Sequence, residues 1–415
     1  MTRQTSLPFK FEAGKDKAPF HADLALLGEF CIGLGVNDWV DRYLPKPGSG
    51  AGYKASEYIF PLILMLSGGG RSLEDIRIIR DCAGLRETLP LKRVPSSDRI
   101  GEWLRKVGNA GGLSGLERTN SKLIKRCLKY VNINNYTLDI EATVIEAEKE
   151  SAKITYKGFK GYIPALGCLA ENGLLIGDEF REGDVQIGEG NLEFIKHCIK
   201  QMPGGKRVGR FRADRASCQA DIINFCKKEN IGFAIGCYID ESVLRVIHSI
   251  PESRWSSYKD GSIASTTHST NTAEEAFRLI VERRPYQRKM FEKENIEVKY
   301  NAIATNIKGS AIKTLKWYNM RSESIEKRIN DLKVGFGMER MPCGKSYANA
   351  VFFRIGVLAY NTYRLFLIKT LGSSWYKYET RKVRKRLHQS VMGRRSVGSK
   401  QKSEQSSIIN PNWPM

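Results

Sequence analysis

Tyr136-Thr-Leu-Asp-Ile-Glu-Ala-Thr-Val-Ile-Glu-Ala-Glu148 is the stretch whose reading decides the fold. Apolar and β-branched residues alternate with polar ones along most of it, which predicts a β-strand. Asp139 lies inside that run. A carboxylate among apolar strand residues loses hydration and has to be compensated by a charged partner, by hydrogen bonds or by a metal ion. Glu141, two residues further on, points to the same face of the strand.

Two more acids are placed to share a cation with Asp139. The run Lys206-Arg-Val-Gly-Arg-Phe-Arg-Ala-Asp214 predicts a second strand that ends at a carboxylate and leads into a helical pattern from Ser217 to Glu229. The third acid is Glu326, on a predicted helix from Tyr318 to Lys333. Glu326 and Lys333 are seven residues apart (333 − 326), about two turns, so both point the same way. Three carboxylates with basic neighbours compose a hard, oxygen-ligated site of the Mg²⁺ type.

At these residues the chain resembles a known family. Leu138-Asp-Ile-Glu-Ala-Thr143, Phe211-Arg-Ala-Asp214 and the Tyr-x-x-Arg…Glu-x6-Lys pattern look like the DDE transposases of bacterial insertion sequences, and most closely the insertion sequence 1380 family, related to the piggyBac transposases. The likeness runs on through Leu26-Leu-Gly-Glu-Phe30, Ala170-Glu-Asn-Gly-Leu174, Gly335-Phe-Gly-Met-Glu-Arg-Met-Pro-Cys343 and Asn349-Ala-Val-Phe-Phe-Arg-Ile-Gly-Val-Leu-Ala-Tyr-Asn361, so it covers most of the chain.

The resemblance implies an α/β fold: a ribonuclease-H-like catalytic core with a β-rich insertion domain, a helical N-terminal domain and a helical C-terminal part. It implies a transposase that binds the inverted-repeat ends of its element, cleaves them by Mg-dependent phosphodiester hydrolysis and joins the 3′-hydroxyl ends to target DNA. Asp139, Asp214 and Glu326 would be the catalytic residues and the ligands of two Mg²⁺ ions, with Mn²⁺ as a substitute and Asp139 bridging both. Tyr318, Arg321 and Lys333 would contact phosphates near the cut and help hold a flipped base. The spacing departs from the family in one place: four residues, Ser322 to Ile325, separate Arg321 from Glu326 where the broader pattern has three. Glu323 is therefore a rival third acid.

Composition agrees with a polyanionic partner. Lys and Arg number 67 against 45 Asp and Glu, a formal charge of +22, which points to double-stranded DNA first and an anionic membrane surface second. No apolar run is judged long enough to span a bilayer, and Met1-Thr-Arg-Gln-Thr-Ser-Leu-Pro8 lacks the apolar run of a signal peptide, so a soluble protein of the bacterial cytoplasm, associated with the nucleoid, is expected. The nine cysteines show no Cys-x-x-Cys pair and read as reduced core residues, not a zinc ribbon.

Along the chain, residues 1 to about 20 read as an arm. The region 1–130 is a helical DNA-binding or dimerisation region, in which Ser96 or Ser97 caps a helix carrying Arg99, Trp103, Arg105 and Lys106 toward DNA or toward a packing partner. The first part of the core occupies 131–240, with a hairpin at Glu171-Asn-Gly173. A β-rich insertion, 241–308, includes Ser242 to His248 as a strand fragment, and Arg283, Arg284, Arg288 and Lys289 make it basic. Trp255 in it stacks on an unpaired base or belongs to its core. The last part of the core, 309–372, carries the Glu326 helix, and 373–415 is a basic tail whose last dozen residues lack core-forming character. Pairing two element ends calls for a homodimer or larger assembly. The alternatives are a cleavage-inactive descendant kept for DNA binding, and a structure-selective nuclease on the same core.

Overall fold

The computed structural model describes residues 22–393 apart from 49, 130, 270–273, 275, 288–295, 372–374 and 376–377. The amino-terminal arm, Arg288, Lys289 and the last dozen residues fall outside them.

Helices make up the front of the chain, as its periodicity predicts. Ala55–Gly68, Ser97–Asn109 and Gly112–Leu128 pack around one long helix from the other end, Ser346–Phe366. By length and composition Ser346–Thr370 could cross a membrane, but 89% of its apolar window is buried inside the protein. Polar stitches fix it to the sheet: Asn361 accepts from the Leu175 N–H at 2.9 Å and donates to the Leu175 carbonyl at 2.8 Å, and Arg354 pairs with Asp178 at 2.7 Å. Ser96 caps Ser97–Asn109, its hydroxyl accepting from the Arg99 N–H at 3.4 Å. Trp103 on that helix is buried in a parallel stack on Tyr58, ring centroids 4.6 Å apart, so it is spent on packing, while Arg99, Arg105 and Lys106 stay outside.

The strands are β1 Asn135–Ala142, β2 Ile145–Glu146, β3 Lys153–Ile154, β4 Lys160–Tyr162, β5 Ala165–Leu169, β6 Leu174–Glu179, β7 Arg207–Ala213, β8 Gly232–Cys237, β9 Ser256–Tyr258, β10 Gly261–His268, β11 Phe277–Gln287 and β12 Ile296–Thr305. Among the described residues nine of them form one mixed sheet in the order β6-β5-β1-β7-β8-β12-β11-β10-β9, and β2-β4-β3 form a small second sheet. On one side of β1 lies the antiparallel β5–β6 hairpin, turned at Gly173 with φ +73°; on the other, β7 and β8 run parallel to β1. Parallel strands need crossovers, and the helices Asn191–Lys200 and Ala220–Lys228 stand before β7 and β8.

Two sequence expectations change. The opening stretch ends as a strand at Ala142, and β2 belongs to the small sheet. Ser242 to His248 is helical, Glu241–His248, because the Asp240 carboxylate caps it by accepting from the Val243 N–H at 2.8 Å. The strands from 256 to 305, within the expected β-rich 241–308 segment, continue the main sheet through the β12–β8 pairing.

One irregularity sets the geometry of everything that follows. Asn135 pairs with Arg207 and Tyr136 with Val208, but Thr137 pairs with Arg210, so β7 carries one extra residue, Gly209. A side chain there has no room, since a Cβ would lie 1.8 Å from the Asn135 amide oxygen. A bulge of this kind reverses which side chains face which side of the sheet beyond it. Because of it Asp139 meets Arg212 and not Phe211.

Candidate active site

Past the bulge, β1 and β7 are in parallel register with Asp139 level with Arg212. Carried two residues beyond its last pair, that register would set Glu141 level with Asp214, just past the end of β7, and the two acids feel one another's charge. The two rungs have different chemistry. In the inner one, both Asp139 oxygens are taken by Arg212, from Nε and Nη2 at 2.7 Å each, and Ser324 donates a further hydrogen bond to Oδ2. Asp139 is 0% exposed and Arg212 2%. Arg212 is itself held by the Trp317 carbonyl and lies 5.0 Å over the Trp317 ring. The charge compensation that the sequence requires for Asp139 is therefore an arginine, and the expectation that Asp139 bridges two ions meets a carboxylate with no free, open face.

The outer rung is at the strand ends. Glu141 is partly exposed, and Asp214, directly after β7, accepts from the Ala216 N–H at 3.2 Å as the cap of the turn Arg215–Ser217. Burial, together with the negative charges of Asp214 and Glu326, outweighs the pull of Arg321 and pushes the Glu141 acid up to about 7. Burial also raises the Asp214 acid, against the attraction of Arg321 and Arg215. Glu141, Asp214 and Glu326 thus share one electrostatic neighbourhood.

Glu326 arrives on a helical segment that packs on this face. The predicted single helix is instead Ala311–Asn319 followed by a π turn at Ser322–Glu326, an α turn at Lys327–Asn330 and a second π turn at Asp331–Gly335. A π turn holds one residue more than an α turn. The residue in excess of the family spacing sits here, and the Glu326 N–H bonds the Arg321 carbonyl five positions back at 3.4 Å. Ser324 turns inward to Asp139, and Glu326 is exposed. Glu323, the rival acid, points to solvent beside Lys327 at 3.6 Å.

Arg321 is buried between the rungs. It makes a close ion pair with Glu141, reaches the Ile140 carbonyl at 3.3 Å, lies 5.7 Å over the Tyr318 ring, and among the described residues its Nε has no hydrogen-bond partner. Tyr318 is pressed against β8, where a Cβ at Gly236 would lie 2.7 Å from its hydroxyl. Lys333 donates to the Val144 carbonyl at 2.9 Å, just beyond Glu141, and burial lowers its pKa. Trp255 is apart from these residues in its contacts: Arg283 covers its ring at 4.3 Å and is held in turn by Glu252 at 2.7 and 3.0 Å.

A family description, the transposase DDE domain of group 1, matches residues 59–391. The chain belongs to the DDE transposases. No curated protein matches it. Among solved structures, a piggyBac transposase synaptic complex with hairpin DNA, determined by cryo-electron microscopy, is similar at 12% identity over 94% of this chain and 86% of that one, with a TM-score of 0.49. The transposase is thus a metal-dependent DNA-cleaving enzyme, of a family that works with divalent ions.

The outer rung fits such an ion in kind. Carboxylate oxygens are its preferred donors, and Glu141, raised to about 7 first by burial and then by the charges of Asp214 and Glu326, is an acid whose charged form a cation would relieve. In spacing the site is not closed, since among the described residues no three acidic, histidine or cysteine side chains converge as a metal cage. The Arg321 guanidinium supplies the positive charge between the acids.

In the sequence Glu141 shares a strand face with Asp139, and its different surroundings are not visible there. The signal that separates it from Asp139 is the matching pair Asp-x-Glu in β1 and Arg-x-Asp in β7: aligned in parallel, one rung is an ion pair and the other two acids.

Proposed function

We propose that this transposase cuts the inverted-repeat ends of a bacterial insertion sequence of the insertion sequence 1380 type and joins the freed 3′-hydroxyls to target DNA, using Glu141, Asp214 and Glu326 as its metal-holding acids. The observation that carries the assignment is the pair of rungs, Asp139 with Arg212 and Glu141 with Asp214. Glu141, Asp214 and Glu326 would hold two Mg²⁺ ions, or Mn²⁺ in their place, which would supply activation of the attacking oxygen and stabilisation of the leaving one.

The chain's own residues have separable tasks. Asp139, Arg212 and Ser324 lock the floor of the site to the Glu326 segment. Arg321 is paired with Glu141, and were the acids to hold ions its planar fork would be released to suit a DNA phosphate. Lys333 adds a point charge beyond the end of β1. The strand order, with an antiparallel hairpin on one side of β1 and two parallel strands on the other, supports reading 131–240 with 309–372 as a ribonuclease-H-like core. On the same reading the helical 1–130 region binds DNA or a second copy, 241–308 is an insertion, and the assembly on two ends is a homodimer or larger.

The Arg321–Glu141 pair favours one alternative, a cleavage-inactive descendant that binds DNA only. Incubation of the protein with end-containing DNA and Mg²⁺ decides between them. Nicks at the ends followed by joined products are expected; binding without nicks supports the descendant, and nicks without joining support a structure-selective nuclease. Glu141→Gln is expected to bind ends and not cut, and undiminished cutting by that variant overturns the assignment.

A further inference from the structure

Two thiols that the proposed chemistry does not use meet beside the Asp214 turn. Cys218 closes that turn, its N–H bonded to the Arg215 carbonyl at 3.1 Å, and Cys237 ends β8 opposite Ala302 of β12. Their Sγ atoms are 3.0 Å apart. Both are partly exposed, whereas Cys31, Cys127, Cys168, Cys198, Cys226 and Cys343 are buried and so shielded from solutes. The hydrogen bond from Cys237 lowers the Cys218 pKa, and the same contact raises that of Cys237. Cys218 is thereby the better thiolate and Cys237 the resolving thiol.

We propose that Cys218 and Cys237 form a reversible disulfide, closed by a peroxide and opened by a thiol reductant, that fastens the Asp214 turn to the end of β8. The Cys218 thiolate attacks the peroxide, the O–O bond breaks, and a sulfenic acid and hydroxide result. The Cys237 thiol then displaces water from that sulfenic acid. In sum two thiols and one hydrogen peroxide give one disulfide and two waters, the sulfurs losing two electrons and the peroxide oxygens gaining them. An S–S bond is about 2.05 Å long, so the sulfurs have about 1 Å to travel.

The bond would matter to the metal site because the turn is one unit with β8. Asp214 caps the turn, the Ser217 N–H bonds the Asp214 carbonyl at 3.2 Å, and a Cβ at Gly236, next to Cys237, would lie 3.1 Å from the Arg215 nitrogen. Among the described residues the acids are not spaced as a cage, so closing on an ion calls for movement among Glu141, Asp214 and Glu326, and we take the Asp214 turn to share in it. A crosslink at the far end of its turn opposes that shift. This consequence rests on reading Asp214 as a ligand; the sulfur chemistry does not.

The test uses the full chain, treated with hydrogen peroxide, alkylated, digested without reductant and analysed by mass spectrometry. A Cys218–Cys237 linked peptide is expected in the wild type, absent from Cys237→Ser and Cys218→Ser and removed by dithiothreitol; two alkylated thiols after peroxide overturn the proposal. Calorimetry with Mn²⁺ is expected to show about tenfold weaker binding to the oxidised wild type, restored by reductant, and no change for peroxide-treated Cys237→Ser. A linked peptide with unaltered Mn²⁺ affinity overturns the coupling. Asp214→Asn separates the two ideas: if it binds Mn²⁺ as the wild type does, the ligand assignment fails while the crosslink stands.

Discussion

Neutralising Asp139 would leave the Arg212 guanidinium buried beside an amide that cannot balance it. Breaking a buried ion pair from one side costs roughly 3–5 kcal/mol, so Asp139→Asn is expected to lose about that much in urea unfolding, a loss of fold before any loss of chemistry. Glu141→Gln lies at the partly open rung, and its circular dichroism spectrum is expected to match the wild type. A second residue-scale prediction follows from the Glu141 acid, raised from 4.5 to about 7. A raised acid favours the folded metal-free state fully below about 4.5 and loses that contribution as pH rises through 7. For the ion the sign is opposite: below 7 it competes with a proton, so divalent affinity climbs as pH rises through 7 and then levels off. Titration calorimetry in buffers of different ionisation enthalpy should show proton release at pH 6 and little at pH 8. From sequence, Asp139 and Glu141 share a face and look equivalent. Their depths differ because Asp139 lies mid-strand beside Arg212 while Glu141 lies at the strand's end, and the β7 neighbour is not a local property of the sequence.

Elements carry the next layer of precision. The π turn at Ser322–Glu326 is where Ser324 is turned inward to Asp139 and Glu326 outward. Deleting Ser322 would turn it into an α turn and rotate the residues beyond it by about 100° relative to Tyr318. The expected outcome is near-native helical content with Mn²⁺ binding lost, read by circular dichroism and calorimetry; retained binding would show that the extra residue has no part in the site. The spacing anomaly itself was legible in the sequence, but its structural form was not, because helical periodicity over a few residues does not distinguish a wide turn from a shifted motif. Glu241–His248 was misread for a related reason. Val243, Val246 and Ile247 are β-branched and suit a strand, and the overlooked signal was the capping Asp240.

At the scale of the whole molecule, the helical front, the β5–β6 hairpin and the parallel β7 and β8 follow the hydrophobic patterning, and the extension of one sheet to β9 does not. Pairing of β12 with β8 joins segments far apart in sequence, beyond the reach of any short-range pattern. The charge of +22 acts over the same scale. A protein neutralising several phosphates releases their counterions, so affinity for duplex DNA is expected to fall roughly a thousandfold between about 50 and 200 mM salt, with a linear log–log slope in fluorescence anisotropy. Gly209 has a consequence for heredity as well. A gene that exchanged that glycine for any larger residue would still encode every acid, yet the new side chain would collide with Asn135, and a β7 forced to pair with β1 residue for residue from Asn135 and Arg207 onward would bring Phe211 and not Arg212 level with Asp139. Surveys of mobile DNA that count intact acids would score such a copy as alive, whereas one added side chain in one strand would already have retired it.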